Sequence, residues 1–290
     1  MKATFIGLGG QKCASTWMYK ILQEHPEVAL SKYKELNYFS DQYILGQDWY
    51  ERFFEGINKS VKAVGEISPS YLPHPLAPKR AYLYNPDFRI VIALRDPVER
   101  AFSNHLHMVR LGYVNGPDYS FEKGLKSNLM YIEQSRYATH LQNWLEFFPR
   151  ESVHVAFQEE IASHGTEVAN NIYRLLGLSL NYQSSNAQSR FNESRIYDDK
   201  GIYGAIKSGA IFMRSIGLDS FVQATKKVEF IESWRRSSGR DLRQIVPPML
   251  DETRERLTDE LMPEMETLRN LLGRDSLPWS SWRSAVSYLS

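Results

Sequence analysis

The segment that most constrains this chain is Phe5-Ile6-Gly7-Leu8-Gly9-Gly10-Gln11-Lys12-Cys13-Ala14-Ser15-Thr16. It reads as an apolar strand over Thr4–Leu8, a tight turn, and a helix over Thr16–His25. That helix carries Trp17, Met18, Ile21 and Leu22 on one face and is stopped by Pro26. A turn without side-chain bulk lets backbone amides face an anion, and the helix N-terminus adds about half a positive charge. Lys12 adds a full charge, and Ser15 and Thr16 add hydroxyl donors. The loop therefore reads as a phosphate cradle. It is not a Walker A loop, because no Gly directly precedes Lys12 and no Ser or Thr directly follows it. Nor is it the G-x-G-x-x-G fingerprint, since Lys12 stands where the third glycine would fall. The competing reading is a plain strand–helix turn with a solvated lysine.

The rest of the chain keeps the alternation of strand and helix. Strands are expected at Val28–Leu30, Lys62–Glu66, Arg89–Leu94 and Ser152–Phe157, with helices at Pro78–Tyr84, Arg136–Phe148 and up to Leu176, closed by Gly177. Five apolar residues in a row within Arg89–Leu94 fit a strand covered on both faces. The helix after it starts well: Asp96 caps, Pro97 takes the first position, Glu99 completes a capping box, and Gly112 ends it. From Tyr203 onward the pattern is helical only, with a break near Ser237–Gly239 and a final helix pair over Met249–Leu272 that holds Pro263 and is capped by Gly273. Strands alternating with helices imply an α/β fold with a parallel sheet. No repeat or linker appears, so a single domain over 1–290 is expected, with 200–236 as a helical insert that packs on the core, forms a lid or wall of a ligand pocket, or makes a dimer contact.

Composition excludes several classes. With 42% hydrophobic residues and 13% aromatics the chain can bury a sizeable core. A net charge of +1 argues against bulk nucleic-acid binding, and the one cysteine, Cys13, excludes a disulfide-stapled fold. The longest apolar run falls far short of the ~20 residues that span a bilayer. No signal-peptide pattern is visible at Met1–Gly10, so a cytoplasmic protein without a membrane span is expected.

A second anion site is expected in Arg89-Ile-Val-Ile-Ala-Leu-Arg95-Asp96-Pro97-Val98-Glu99-Arg100-Ala101-Phe102-Ser103. Arg95 stands at the carboxyl end of a central strand, where open α/β sheets bind ligands, and Ser103 lies two helical turns beyond the cap. An arginine fork with a hydroxyl can hold a second phosphate. The bland alternative makes Arg95 and Arg100 ion-pair residues of the turn. Two phosphate sites at two strand ends suit a ligand phosphorylated at two places.

At this point the chain resembles sulfotransferases that use 3′-phosphoadenosine 5′-phosphosulfate (PAPS), and within them the heparan-sulfate-type branch and its soluble bacterial relatives. The cradle is similar to their 5′-phosphosulfate loop, and the Arg95–Ser103 segment to their R-D-P-x-x-R-x-x-S motif for the 3′-phosphate. The likeness continues in order along the chain. Lys34-Glu35-Leu-Asn-Tyr-Phe-Ser40 is similar to E-x-x-F-F, and Asp48-Trp49-Tyr50 to the W-Y that follows. Gly65-Glu66-Ile-Ser-Pro-Ser-Tyr71 resembles E-K-T-P-A-Y, and His140-Leu-Gln-Asn-Trp144-Leu-Glu-Phe-Phe-Pro149 resembles H-x-Q-N-W-L-x-F-F-P. Phe191-Asn192-Glu193-Ser194 resembles F-N-K-T, and Ser238-Gly239-Arg240 a glycine–arginine loop that closes over the cofactor.

The resemblance implies a P-loop-like three-layer fold: a central parallel sheet flanked by helices, with a helical C-terminal part. It implies sulfuryl transfer from PAPS, with 3′,5′-adenosine bisphosphate (PAP) as product, to a hydroxyl or amine of a small molecule, glycan or glycolipid. Lys12 would neutralise the leaving phosphate with backbone donors from Cys13, Ala14, Ser15 and Thr16. Arg95 and Ser103 would hold the 3′-phosphate, Ser238, Gly239 and Arg240 a second clamp, and Trp17 or Tyr197 would border the adenine. Glu35 is the base by position, and its competing reading is a surface carboxylate paired with Lys32 or Lys34. Glu66 is the second candidate, as base or as a partner that orients the site. The lysine expected after it is Ile67 here, which puts a second catalytic lysine in doubt. His74, His105 and His107 are further candidate bases, and Cys13 beside Lys12 is expected to have a lowered pKa. No metal is implied, and no metal-ligand spacing is present. The alternative function is a nucleotide-dependent kinase or phosphotransferase with a variant loop. Asp96 is its one obvious strand-end acid for Mg²⁺.

Overall fold

The computed structural model describes residues 2–58, 60–114, 119–189, 195–196, 240–241 and 245–283. Two compact units are present. One comprises Met1–His105, Ser120–Asn192 and Met249–Ser290, the other Leu106–Tyr119 and Glu193–Pro248.

The larger unit is built on five parallel strands: β1 (Phe5–Gly9), β2 (Val28–Leu30), β3 (Ala63–Ile67), β4 (Arg89–Leu94) and β5 (Val153–Phe157), in the spatial order β2-β3-β1-β4-β5. Phe5 stands opposite both Gly65 and Arg89, and Ile92 opposite Val155, so the strands finish along one carboxyl edge. The crossovers include α1 (Ser15–Glu24), α2 (Gln47–Glu51), α3 (Ala77–Tyr84), α4 (Pro97–Arg110), α5 (Phe121–Ser127), α6 (Met130–Glu133) and α7 (Tyr137–Leu145). After β5 come α8 (Gln158–Leu175) and a single long helix, α9 (Asp251–Leu271), with Pro263 inside it. The expected final helix pair is thus one helix among the described residues. Its Glu264 accepts from the amide and hydroxyl of Thr139 (3.1 and 2.6 Å), which satisfies a first-turn donor of α7.

Two glycines of the cradle are there for packing. A Cβ on Gly7 would stand 2.6 Å from Ile67 Cγ1 and 2.8 Å from Met18 Sδ, and one on Gly9 would stand 2.6 Å from the carbonyl oxygen of Ala93. They let α1 and β4 close on β1.

The start of α4 differs from the expected capping box. Asp96 Oδ1 does accept from the amides of Val98 and Glu99 (3.0 and 3.2 Å). The reciprocal bond to the Asp96 amide, however, comes from Glu159 Oε1 (3.0 Å), at the start of α8. Glu99 turns instead to Arg254 (2.5 Å) and Arg95 (3.7 Å). A cation on either side outcompetes one backbone amide for the carboxylate.

In the smaller unit, Gly112 (φ 75°) ends α4, with Tyr113 donating back to the Met108 carbonyl at 3.0 Å. Strands β6 (Arg195–Ile196) and β7 (Arg240–Asp241) pair antiparallel. A helical-only pattern after Tyr203 is therefore broken at Arg240–Asp241, because the backbone pairs across to a distant segment that local periodicity does not register. The 200–236 insert, Phe191–Ser194, Tyr197, Ser238 and Gly239 lie outside the described residues.

Candidate active site

The carboxyl edge gathers the ends of β1, β2, β3 and β4. The loop after β1 is bent through two non-glycine residues in the left-handed region, Lys12 (φ 74°) and Ala14 (φ 61°). Each such residue costs on the order of 1–3 kcal/mol, and clustered strain of this kind marks functional loops. The Cys13 amide donates to the Gly10 carbonyl at 3.2 Å and closes the turn. The next backbone bond is from Met18 to Ala14 at 3.1 Å, and Ala14 offers no side-chain cap. A helix start without a side-chain cap is the kind of place where an anion can meet backbone amides.

Cys13 and Trp17 are both packed inward. Cys13 is fully buried, with Sγ 3.6 Å from Tyr137 Oη. Burial pushes its thiol up, and the nearby Arg100 charge only partly opposes this. The expected lowering does not occur, because desolvation of a thiolate outweighs one neighbouring cation. With its amide spent on Gly10, Cys13 is a packing residue of the turn. Trp17 is 2% exposed, and its indole donates to the Ala187 carbonyl at 2.9 Å.

Arg95 leaves β4 one residue beyond Leu94. Because Gly9 stands opposite Ala93, Arg95 emerges beside the cradle on the neighbouring strand, about 4.8 Å across. Its side chain is 15% exposed and touches Glu99 only at 3.7 Å. Ser103 is buried on α4, a little over one turn beyond the amides that Asp96 caps. Among the described residues Arg100 makes no ion pair. It is sealed in the core and donates to neutral acceptors: Ser135 Oγ (2.7 Å), Gln134 Oε1 (3.3 Å) and the Tyr131 carbonyl. Asp96 is buried, and its second oxygen accepts from Ser280 Oγ and the Ser281 amide, both at 2.9 Å. Both oxygens thus serve the protein itself. Among the described residues no group of three or more His, Cys, Asp or Glu is placed to hold a metal.

Glu35 and Glu66 come to the same edge with opposite environments. Glu35 is half exposed and pairs with Lys34 Nζ at 2.5 Å, and the same Nζ stands 3.4 Å from Ser15 Oγ. The carboxylate is therefore linked through one ammonium to the first residue of α1. The half-exposed Glu35 paired with Lys34 is the arrangement its competing reading expected; what sequence reasoning missed is the contact of Lys34 with Ser15. Its signal was the missing lysine at Ile67, which leaves Lys34 as the cation beside Glu35. Glu66 is fully buried in β3 and accepts from Ser68 Oγ (2.7 Å), Tyr71 Oη and the Leu36 amide. Burial raises its pKa from 4.5 to about 7, against these bonds. Both oxygens of Glu66 are engaged by neighbouring protein donors, the surroundings of the partner that orients the site. His105 is sealed likewise, packed on Phe121 and 3.3 Å from Tyr131 Oη. His107 contacts Arg110 at 2.8 Å on its own helix, and burial lowers the pKa of His74.

Residues 4–216 match the family described as "Sulfotransferase domain". The human bifunctional heparan sulfate N-deacetylase/N-sulfotransferase 2 is 27% identical over 299 residues, covering 96% of this chain and 30% of that protein. The Drosophila melanogaster bifunctional heparan sulfate N-deacetylase/N-sulfotransferase is 27% identical over 203 residues, covering 59% and 19%. The membrane-associated sulfotransferase kil1 of Dictyostelium discoideum is 34% identical over 123 residues, covering 41% and 26%. The matched part is thus under a third of each of these curated relatives. Among solved structures, a sulfotransferase from Alicyclobacillus acidocaldarius shares the fold with a TM-score of 0.70 at 24% identity, covering 98% of this chain and 99% of that one.

Proposed function

The chain belongs to the sulfotransferase family, and from that premise we propose that it moves a sulfuryl group from PAPS to a hydroxyl or amine of a glycan, glycolipid or small molecule. The observation that carries the reading is the short link from cradle to carboxylate: Ser15 to Lys34 at 3.4 Å, and Lys34 to the half-exposed Glu35 at 2.5 Å. Lys12 and the first-turn amides of α1 receive the 5′-phosphosulfate. Arg95 and Ser103 take the 3′-phosphate. Glu35 removes the acceptor proton as the new bond to sulfur forms and the sulfur–oxygen bond to the phosphate breaks. PAP then leaves, its new charge neutralised by Lys12, with Lys34 placing a second cation between cradle and base. The N-sulfotransferase names of the two heparan sulfate relatives favour a glycan amine, with a hydroxyl as the other nucleophile. The kinase reading loses its strand-end acid, since Asp96 spends both oxygens on backbone and serine donors.

A thermal-shift panel tests this. A ligand at a hundred times its Kd stabilises by about 2.7 kcal/mol, so saturating PAP without metal is expected to raise Tm by several degrees. A shift with ATP and Mg²⁺ and none with PAP contradicts the proposal. Release of PAP from PAPS in the presence of amine- and hydroxyl-bearing oligosaccharides then identifies the acceptor class.

A further inference from the structure

The loop that carries Glu35 is strained on both sides of Leu36. Glu35 (φ 63°) and Asn37 (φ 53°) are both left-handed, and neither is glycine. Something must hold them there. Four consecutive amides are bound to β3 and its continuation. Glu35 donates to the Ile67 carbonyl at 3.1 Å. Leu36 donates to the Glu66 carboxylate. Asn37 donates to Ser68 Oγ at 3.0 Å, and Tyr38 to Tyr71 Oη at 2.8 Å. The Ser68 hydroxyl in turn donates to Glu66 Oε2 at 2.7 Å, and the Tyr71 hydroxyl to Oε1. Three of the four bonds therefore converge on one buried carboxylate, one directly and two through a hydroxyl.

We propose that Glu66 is a positioning residue that fixes the Glu35 loop by gathering the amides of Leu36, Asn37 and Tyr38 onto its carboxylate. A hydroxyl whose proton goes to a carboxylate must turn its lone pairs outward. Glu66 thereby sets Ser68 and Tyr71 as acceptors for amides 37 and 38. Gln at position 66 offers one acceptor oxygen and an NH₂ that competes as donor, so it cannot reproduce all three bonds. The consequence for turnover rests on the proposed role of Glu35.

Amide hydrogen exchange on the intact chain tests the first part. Glu66→Gln is expected to speed exchange at Leu36, Asn37 and Tyr38 together. Ser68→Ala is expected to do so at Asn37 alone, and Tyr71→Phe at Tyr38 alone, which keeps the test decisive should Glu66→Gln fail to fold. Unchanged protection at each variant's own amide overturns the proposal. Turnover tests the second part. Glu66→Gln is expected to lower PAP release about tenfold in wild type and not further in a Glu35→Gln background, with PAP affinity unchanged. Losses that add across the two substitutions overturn the link to Glu35. A wild-type chain that binds no PAP refutes the sulfuryl-transfer reading, while the exchange result still decides the loop.

Discussion

The two sides of the carboxyl edge are built by different means. On the donor side, the β1–α1 loop is shaped by close packing, with Gly7 and Gly9 pressed on Ile67, Met18 and Ala93 and Cys13 sealed beneath. What it presents is backbone, a helix start and the single charge of Lys12. On the acceptor side, the Lys34–Tyr38 loop is shaped by polar bonds to one buried acid, and it presents two charged side chains. A donor such as PAPS is the same in every turnover, and rigid packing suits it. A loop held by hydrogen bonds can be re-aimed by a few substitutions, and under the proposed function that is the side the acceptor meets.

Substitutions should separate the two sides. Lys12→Ala is expected to lower turnover about a thousandfold, the scale of losing a charge aimed at a leaving group, and to weaken PAP binding as well. Loss of turnover with PAP affinity intact would move Lys12 from the donor side to the chemistry alone.

The next effect is on stability. The folded chain holds a proton on Glu66 more tightly than the unfolded one, with a pKa of about 7 against 4.5. That contribution is present below pH 4.5, falls as pH rises through the window, and is gone above 7. Its full size is about 3 kcal/mol, from about 1.4 kcal/mol per unit. Denaturant unfolding between pH 4.5 and 7 is expected to show this slope in wild type and a flatter one in Glu66→Gln. Identical slopes would place Glu66 in contact with solvent.

Glu35→Gln is expected to lower turnover about a hundredfold and leave PAP affinity within about twofold, as removal of a general base does. Full activity would pass the base role to another group. The smallest effect is at Arg95→Ala, expected to weaken PAP about tenfold in a calorimetric titration, the value of one charge-assisted hydrogen bond. Equal weakening of a ligand without a 3′-phosphate would break the assignment of Arg95 to that end.

Much of the scaffold was legible because it follows local rules. β2 and β4 fall on the expected residues, and β1, β3 and β5 within one residue of them. Gly112, Gly177 and Gly273 all end helices at positive φ. The failures share a physical cause. A carboxylate's partner is fixed by tertiary structure, so Glu99 loses the Asp96 amide to Glu159, sixty-three residues away. The pKa of Cys13 is set by burial, which no spacing reports, and Trp17 at a helix start gave no sign that its indole is sealed against Ala187. Of the candidate site, Lys12, Glu35 and Arg95 meet at one edge as their strand ends required. The convergence of three amides on Glu66 needed two left-handed turns that local sequence rules do not foresee.

A crystal structure of the chain with PAP tests the central claim most directly. The account predicts the 5′-phosphate within hydrogen-bond reach of Lys12 and the first turn of α1, the 3′-phosphate on Arg95 and Ser103, and Glu35 facing the open side of the 5′-phosphate. PAP bound with Lys12 and Arg95 in separate cavities, or with both phosphates away from this edge, would contradict it.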